Sequence, residues 1–192
     1  MTVARPAVQI GDIRPYGLDR RSTHCCRLAE SGRTQLIGLR YYLAMNYPTK
    51  IRRAIAADAD CLTALIRASA AYVGRYAQLL AAYKVTPAQI AKDEVFVVEY
   101  ENGISGFYSL VTVPVAELDL LFVSDAAQGK SLGKLLFQHM CARARINGAT
   151  TVLIVSHPPS VGFYQRVGAQ IAGIKPSSAS VPWDRPVLHM CL

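Results

Sequence analysis

A short loop between two regular segments has the composition of an anion-binding site. Its six residues are Gln128, Gly129, Lys130, Ser131, Leu132 and Gly133. Small residues let the backbone close on a ligand, and free N–H groups at the start of a helix point toward an anion. Lys130 and Lys134 add positive charge to the loop. This combination predicts that the loop binds a phosphate or pyrophosphate group.

Two kinds of phosphate site share this composition. The triplet Gly129-Lys130-Ser131 matches the end of a Walker A loop, G-x-x-x-x-G-K-[ST], but Ser124 occupies the position of the first glycine. The preceding strand also follows an antiparallel hairpin pattern, whereas a P-loop usually follows a strand of a parallel sheet. The pattern therefore favours a pyrophosphate cradle over a nucleoside triphosphate site. For the loop taken alone, an ordinary strand–helix turn is the alternative.

Hydrophobic periodicity and turn signals predict the elements that position this loop. The predicted strands cover residues 51–54, 94–100, 104–113, 117–123, 151–156, 169–175 and 187–192. Predicted helices begin at Asp58 and Thr86, and two more cover 131–146 and 160–167. The order is helices, then an antiparallel hairpin closed by Asn102-Gly103, then one strand–helix–strand crossover. This order predicts a mixed α/β or α+β sheet.

The N-terminal part of the chain differs from the rest. Residues 1–44 lack a regular period and contain seven arginines and three acids. We predict a poorly ordered or peripheral basic segment there. Met45 shortly precedes the first regular pattern, and a chain of 192 residues fits one domain. The sequence therefore predicts a single domain over residues 45–192.

Composition limits the partners and the location. The net charge of +8 would attract nucleic acid or an anionic cofactor. The sequence contains no dense Lys/Arg stripe with interleaved aromatic residues, and this absence disfavours nucleic acid as a partner. No apolar run approaches the roughly 20 residues that span a bilayer, so a membrane partner is not expected. The five cysteines form no C-x-x-C pair and no secretory signal is visible, which predicts a cytoplasmic protein. The histidines are scattered, so we expect no metal site.

The segment from the 117–123 strand to Ala169 resembles the GNAT superfamily of N-acetyltransferases. That family carries Q/R-x-x-G-x-G/A after its fourth strand, and Gln128 and Gly133 match this signature, whereas Ser131 replaces the usual middle glycine. Residues 163–169, FYQRVGA, match the family's FY-x-x-x-G-F/A segment. The order and spacing of these motifs extend the resemblance over residues 51–192.

The resemblance implies a fold and a cofactor. The fold would be the GNAT-type acyl-CoA N-acyltransferase fold, a mostly antiparallel sheet with one parallel strand–helix–strand crossover. The 128–133 loop would hold the pyrophosphate of acetyl-CoA. Backbone groups near Phe122 and Val123 would pair with the pantetheine arm between two strands that splay apart. The thioester would then lie close to the 117–123 strand.

The resemblance also implies catalytic residues. Glu117 is the leading general-base candidate, acting directly or through water, with an exposed acid at a strand start as the alternative. Asp119 lies on the same strand face and is the second candidate. Tyr164 would protonate the departing CoA thiolate, and a core aromatic is its alternative. His157 stands where many family members carry Asn and is interpreted as a loop residue near the cofactor, with an alternative base as the second interpretation, whereas His139 is interpreted as structural.

The implied function is transfer of an acetyl group from acetyl-CoA to a primary amine of a small molecule or peptide. The amine would attack the thioester directly, without a metal. Tyr72, Tyr76 and Tyr83 are candidates for lining the acceptor pocket, and Trp183 and Arg185 for its edge. A CoA-binding or interaction module without turnover, and a transferase for another acyl-CoA, are the alternatives. A homodimer is common among such folds and stays open.

Overall fold

The computed structural model describes residues 49–70, 76, 80, 83–101 and 103–192. Predictions for residues 1–44, for Tyr72 and for the turn residue Asn102 lie outside the described residues. The boundary between 1–44 and 45–192 therefore stays a prediction.

Strands and helices follow one another in the described chain much as the periodicity predicts. The strands are β1 (Lys50–Arg53), β2 (Glu94–Tyr100), β3 (Gly103–Val111), β4 (Glu117–Val123), β5 (Thr151–Val155), β6 (Gln170–Lys175) and β7 (Arg185–Cys191). The α-helices are α1 (Ala59–Arg67), α2 (Pro87–Lys92), α3 (Leu132–Ile146) and α4 (Val161–Arg166). The start of α2 shows the local cause: Oγ1 of Thr86 accepts a hydrogen bond from the Gln89 N–H at 3.1 Å, ahead of Pro87 at the first helical position.

The strands form one sheet in the order β1-β2-β3-β4-β5-β7-β6. Every pair is antiparallel except β4 and β5, which run parallel and are connected through α3. The predicted mixed sheet is confirmed. The last strand begins at Arg185 rather than Val187, because Arg185 and Pro186 still pair with β6. Proline cannot donate a hydrogen bond to a neighbouring strand, so Pro186 weakens the strand pattern and the predicted strand starts two residues too late.

Two apolar cores lie on opposite faces of the sheet. The α3 face is covered by α3 and α4, and its buried cluster includes Leu136 and Met140. The α1 face is covered by α1 and α2, and its cluster includes Leu62, Ile66 and Ile90. Both faces of the central strands are therefore buried, as expected for a strand that reads as a continuous apolar run.

A β-bulge in β4 changes which side chains face the two cores. In the pairing with β3, Leu110 opposes Leu118 and Ser109 opposes Leu120, so Asp119 is the extra residue. Leu118 belongs to the α3-face cluster, whereas Leu120 packs against the α1-face cluster. Without the bulge these two side chains would share a face. The bulge therefore directs the side chains of both Asp119 and Leu120 toward the α1 face, at the middle of β4.

A charged cluster connects β1, β2 and the start of α1. The Arg52 guanidinium donates two hydrogen bonds to Asp58, at 2.7 and 3.1 Å, and a third to Glu99 at 2.5 Å. The Ile55 N–H also donates to Asp58 at 2.8 Å. The hydrogen bonds from Arg52 lower the pKa of Asp58 against the opposing effect of burial. Asp58 therefore carries a negative charge that fixes the entry of the chain into α1.

His139 lies between the sheet and α3, as its structural interpretation requires. Its Nδ1 lies 2.8 Å from Oη of Tyr108, and its ring centroid lies 4.7 Å from that of Phe96. Burial lowers the pKa of His139, and the nearby positive charge of Arg143 lowers it further. The side chain thus serves the packing of α3 on the sheet.

Candidate active site

The sheet opens between β4 and β5. These strands pair at only two positions, Glu117 with Leu153 and Leu118 with Ile154. In the described chain the β4 edge beyond Leu118 is not paired with β5, although β4 stays paired with β3 as far as Val123. The opening starts at the Asp119 bulge, which bends the strand. An extended ligand can therefore lie beside β4 and meet its backbone groups, as expected for the region of Phe122 and Val123.

The predicted phosphate loop follows the open end of β4. Gly129 has a φ of +76°, and Ser131, which is the N-cap of α3, has a φ of +62° and a ψ of +7°. Both residues are in the left-handed region that glycine adopts without strain. Ser131 thus has a backbone conformation that glycine adopts without strain, and a residue with a Cβ there stores strain.

The loop contains backbone donors that no backbone carbonyl of the described residues accepts. In the described chain the N–H groups of Gly129, Ser131, Leu132 and Gly133 donate to no backbone carbonyl. Three of these groups lie at or within the first turn of α3, where the helix dipole is positive. Lys130 and Lys134 are exposed beside them. The arrangement suits a pyrophosphate, which accepts several hydrogen bonds at once.

The side chain of Gln128 does not face the loop donors. It donates a hydrogen bond to Oδ1 of Asp125 at 2.7 Å, and Oδ2 of Asp125 accepts from the Ala70 N–H at 2.9 Å. Asp125 therefore connects the loop to the residues that follow α1. Sequence reasoning missed this role, although an acid three residues before a Gln in a tight turn is a recognisable signal.

Gly133 lies where the start of α3 meets α4. A Cβ on Gly133 would lie 3.4 Å from Cε2 of Phe163 and 3.8 Å from Cγ2 of Val123. The glycine therefore lies against α4 and the open end of β4. This contact brings the FY segment next to the phosphate loop.

Tyr164 packs inside this junction. Its side chain is 9% exposed, and its ring centroid lies 5.2 Å from that of Phe163 and 6.1 Å from that of Phe137. The ring thus has a packing role in the α3-face core. The catalytic assignment of Tyr164 stays a prediction.

The two candidate bases lie on the α1 face of β4. Asp119 accepts a hydrogen bond from Nε2 of Gln89 at 3.3 Å, and Gln89 also donates to Oη of Tyr83 at 3.1 Å. This network from α2 orients the Asp119 carboxylate. Glu117 is half-buried and lies near the guanidinium of Arg185. Burial lowers the pKa of Arg185, and the negative charge of Glu117 opposes that change.

An aromatic cluster stands where β5 ends. The ring of Tyr76 lies edge-on to His157, with centroids 4.3 Å apart, and edge-on to Trp183, at 4.7 Å. Burial lowers the pKa of His157, so its imidazole is neutral at pH 7. The structure therefore brings together three residues that lie far apart in the sequence. Tyr76 and Trp183 were predicted at the acceptor pocket.

Residues 49–70, 83–101 and 103–192, with Tyr76 and Leu80, contain no group of three or more His, Cys, Asp or Glu side chains arranged to hold a metal ion. No helix in this part of the chain is long and apolar enough to cross a membrane.

Comparison with known proteins identifies the family. The family model described as "Acetyltransferase (GNAT) family" matches residues 64–169, and the chain belongs to this family. A curated relative, the 5-NmdU N-acetyltransferase of Pseudomonas phage PaMx11, is 33% identical over 85 residues. That match covers 43% of this chain and spans 61% of the relative's length.

Solved structures show the same fold. A GCN5-related N-acetyltransferase from Rhodopseudomonas palustris has a TM-score of 0.66 at 18% identity, over 77% of this chain and 98% of that protein. The yncA protein of Salmonella typhimurium, solved with its cofactor acetyl-CoA, has a TM-score of 0.56 at 23% identity, over 76% of this chain and 94% of that protein. The recognition of the GNAT fold from sequence is confirmed.

Proposed function

We propose that this protein transfers an acetyl group from acetyl-CoA to a primary amine of a small molecule or peptide by direct attack. The proposal rests mainly on two features that lie next to each other at the end of β4. The sheet opens there after two paired positions, and the free N–H groups of the 128–133 loop follow at once. Membership of the GNAT family and the acetyl-CoA in yncA support this choice of cofactor.

In this proposal each site residue has a separate role in binding or proton transfer. The loop and Lys130 hold the pyrophosphate, and the β4 edge near Phe122 and Val123 meets the pantetheine arm. Glu117 or Asp119 accepts the proton of the amine, directly or through water. Tyr164 donates a proton to the leaving thiolate, since a phenol is neutral at pH 7. No step in this scheme uses a metal.

One observation favours a second candidate function. Tyr164 is nearly buried among Phe137 and Phe163, which would also suit a residue that only packs. A CoA-binding module without turnover would have the same loop and the same opening. A transferase for a different acyl-CoA is the other alternative. The cytoplasmic location and a homodimer stay predictions.

The test separates binding from turnover. Calorimetric titration with acetyl-CoA should give saturable heat, and release of free CoA should then follow when a panel of primary amines is added. ATP with magnesium should give much less heat, and equal or stronger binding of ATP would favour the Walker A interpretation. Binding without thiol release for any amine would favour the binding module.

A charge reversal in the loop locates the site. Lys130 is exposed, so Lys130→Glu should weaken acetyl-CoA binding without changing the melting temperature. Lys92→Glu, at the exposed end of α2, is the matched control and should leave affinity unchanged. Equal effects of the two substitutions would show a general loss of electrostatic attraction rather than a loop site.

A further inference from the structure

Three buried polar atoms, one on β3 and two at or just before the start of β7, have no hydrogen-bond partner among the described residues. They are Oγ of Ser109, Nε1 of Trp183 and Nε of Arg185. Ser109 opposes Leu120 beside the β4 bulge, and Arg185 lies near Glu117 at the start of the same strand. Folded proteins leave few such atoms, and a group of them in one region calls for a ligand or ordered water. The region adjoins the candidate bases.

Two of these atoms can only donate. The indole N–H of Trp183 and the Nε–H of Arg185 have no acceptor capacity, so only an oxygen or nitrogen acceptor can meet them. Trp183 is 7% exposed, so water does not compete freely for its N–H. The two residues are separated by Asp184 alone. A ligand that reaches this region therefore needs an acceptor atom.

The charges around the donors select a neutral acceptor. The negative charge of Glu117 acts on the guanidinium of Arg185, and Asp119 lies on the same face of β4 as Glu117, so this region already holds two carboxylates. The imidazole of His157 is neutral at pH 7 because burial lowers its pKa. A ligand carboxylate would meet two carboxylates for one cation, whereas a carbonyl oxygen adds no charge. The ammonium form of an amine is attracted by the same two carboxylates.

The walls around the donors are aromatic. Tyr76 is half-buried and packs edge-on against Trp183 and His157. Such a wall suits a flat or apolar body attached to the amine. A ligand at this place would pack on the Tyr76 ring or displace it.

We propose that Trp183 and Arg185 bind a neutral carbonyl oxygen of the acceptor, so the acceptor is an amine that carries an amide-type carbonyl close to its nitrogen and an apolar body. This inference rests on the proposed acetyltransferase function. In this proposal the two donors determine which amines bind, and they take no part in proton transfer.

Binding to the wild-type protein tests this inference without turnover. Trp183 is the single tryptophan of the sequence, so its fluorescence reports directly on the indole N–H. With the protein saturated by CoA, phenylalaninamide should shift the emission to longer wavelength with saturation. Phenethylamine, which lacks the carbonyl, and phenylalanine, which carries a carboxylate, should bind at least ~10-fold more weakly, because each leaves the donors unmet or adds charge. Equal affinity for the three compounds would overturn the inference.

Two variants separate a specificity role from a structural one. Trp183→Phe keeps a ring and removes the N–H, and Arg185→Lys keeps the charge and removes the Nε–H. Each should reduce the preference for phenylalaninamide over phenethylamine in kcat/KM by ~3- to 10-fold, through a higher KM for phenylalaninamide. Ser180→Ala, in the exposed loop before Trp183, is the control and should keep the preference.

The outcomes distinguish the two proposals. Equal losses for both amines would show that the donors are structural and would overturn the inference. If no amine releases CoA, the acetyltransferase proposal fails, and the fluorescence titration still decides whether the donors bind a carbonyl. A phenylalaninamide shift that persists in Arg185→Lys and matches that of acetamide would show filling by any small carbonyl compound, which also contradicts the inference.

Discussion

Ser131→Gly should make the protein more stable. Ser131 has a φ of +62°, and a left-handed conformation costs a residue with a Cβ roughly 1–2 kcal/mol. Glycine avoids that strain, but its greater freedom in the unfolded chain returns about 0.5–1 kcal/mol. Ser131 makes no side-chain cap hydrogen bond to α3, so no capping energy is lost. The net expectation is a gain of about 0.5–1 kcal/mol in the free energy of unfolding.

Urea and thermal denaturation measure this gain. For a chain of this size 1 kcal/mol moves the melting temperature by about 2–4 °C, so the expected rise is ~1–4 °C. Gly129→Ala, at a φ of +76°, should do the reverse and lower stability by about 1 kcal/mol. Gly103→Ala is the control, because a Cβ there meets nothing within 4 Å and the residue has no left-handed φ.

The affinity for acetyl-CoA should change by less than about threefold in Ser131→Gly, since the directions of the loop N–H groups are kept. A variant that is less stable than the wild-type protein would refute the strain argument. A variant that is more stable but no longer binds acetyl-CoA would show that the Ser131 side chain contacts the cofactor. If Gly129→Ala and Ser131→Gly change the free energy of unfolding in the same direction, the positive φ does not explain these effects.

Three further predictions concern the folding core, the chemistry and the domain boundary. Asp58→Asn should cost about 1–3 kcal/mol of stability, because it leaves the guanidinium of Arg52 with weaker acceptors. The pKa of Asp58 is lowered in the folded protein, so its contribution to stability is present above pH 3.8 and is lost as the pH falls through the folded-state pKa. Asp58→Asn should therefore flatten the fall of stability at acid pH. An unchanged fall would contradict this. Tyr164→Phe should lower kcat by ~10²–10⁴-fold with acetyl-CoA affinity and melting temperature unchanged, whereas wild-type turnover would reduce Tyr164 to a packing residue. A chain that starts at Met45 should unfold cooperatively and bind acetyl-CoA as the full chain does, and an insoluble product would place the boundary elsewhere.

The sequence predicts the parts of the fold that local patterns determine. The apolar period of α3, the Thr86-Pro87 start of α2 and the β-branched run of β5 each follow from side-chain type and spacing. The phosphate loop is predictable for the same reason, since its small residues and lysines are adjacent in the chain. The start of β7 was missed because Pro186 weakens a local strand signal.

The contacts between distant segments could not be predicted. The cluster of Tyr76, His157 and Trp183 depends on how three distant segments of the chain meet, and no local pattern predicts that contact. The bulge at Asp119 shifts a register by one residue, which depends on the pairing of β3 with β4. The hydrogen bond from the Ala70 N–H to Asp125 is likewise a consequence of tertiary packing.

Hydrogen exchange with and without acetyl-CoA tests the central claim most directly. The claim is that the β4 opening and the loop at Gln128–Gly133 bind the cofactor. On saturation with acetyl-CoA, the amides of Gly129, Ser131, Leu132 and Gly133 should exchange more slowly, together with those of β4 beyond Leu118, while those of β1 should not change. Protection confined to other segments, or protection of the loop by ATP with magnesium and not by acetyl-CoA, would contradict the account.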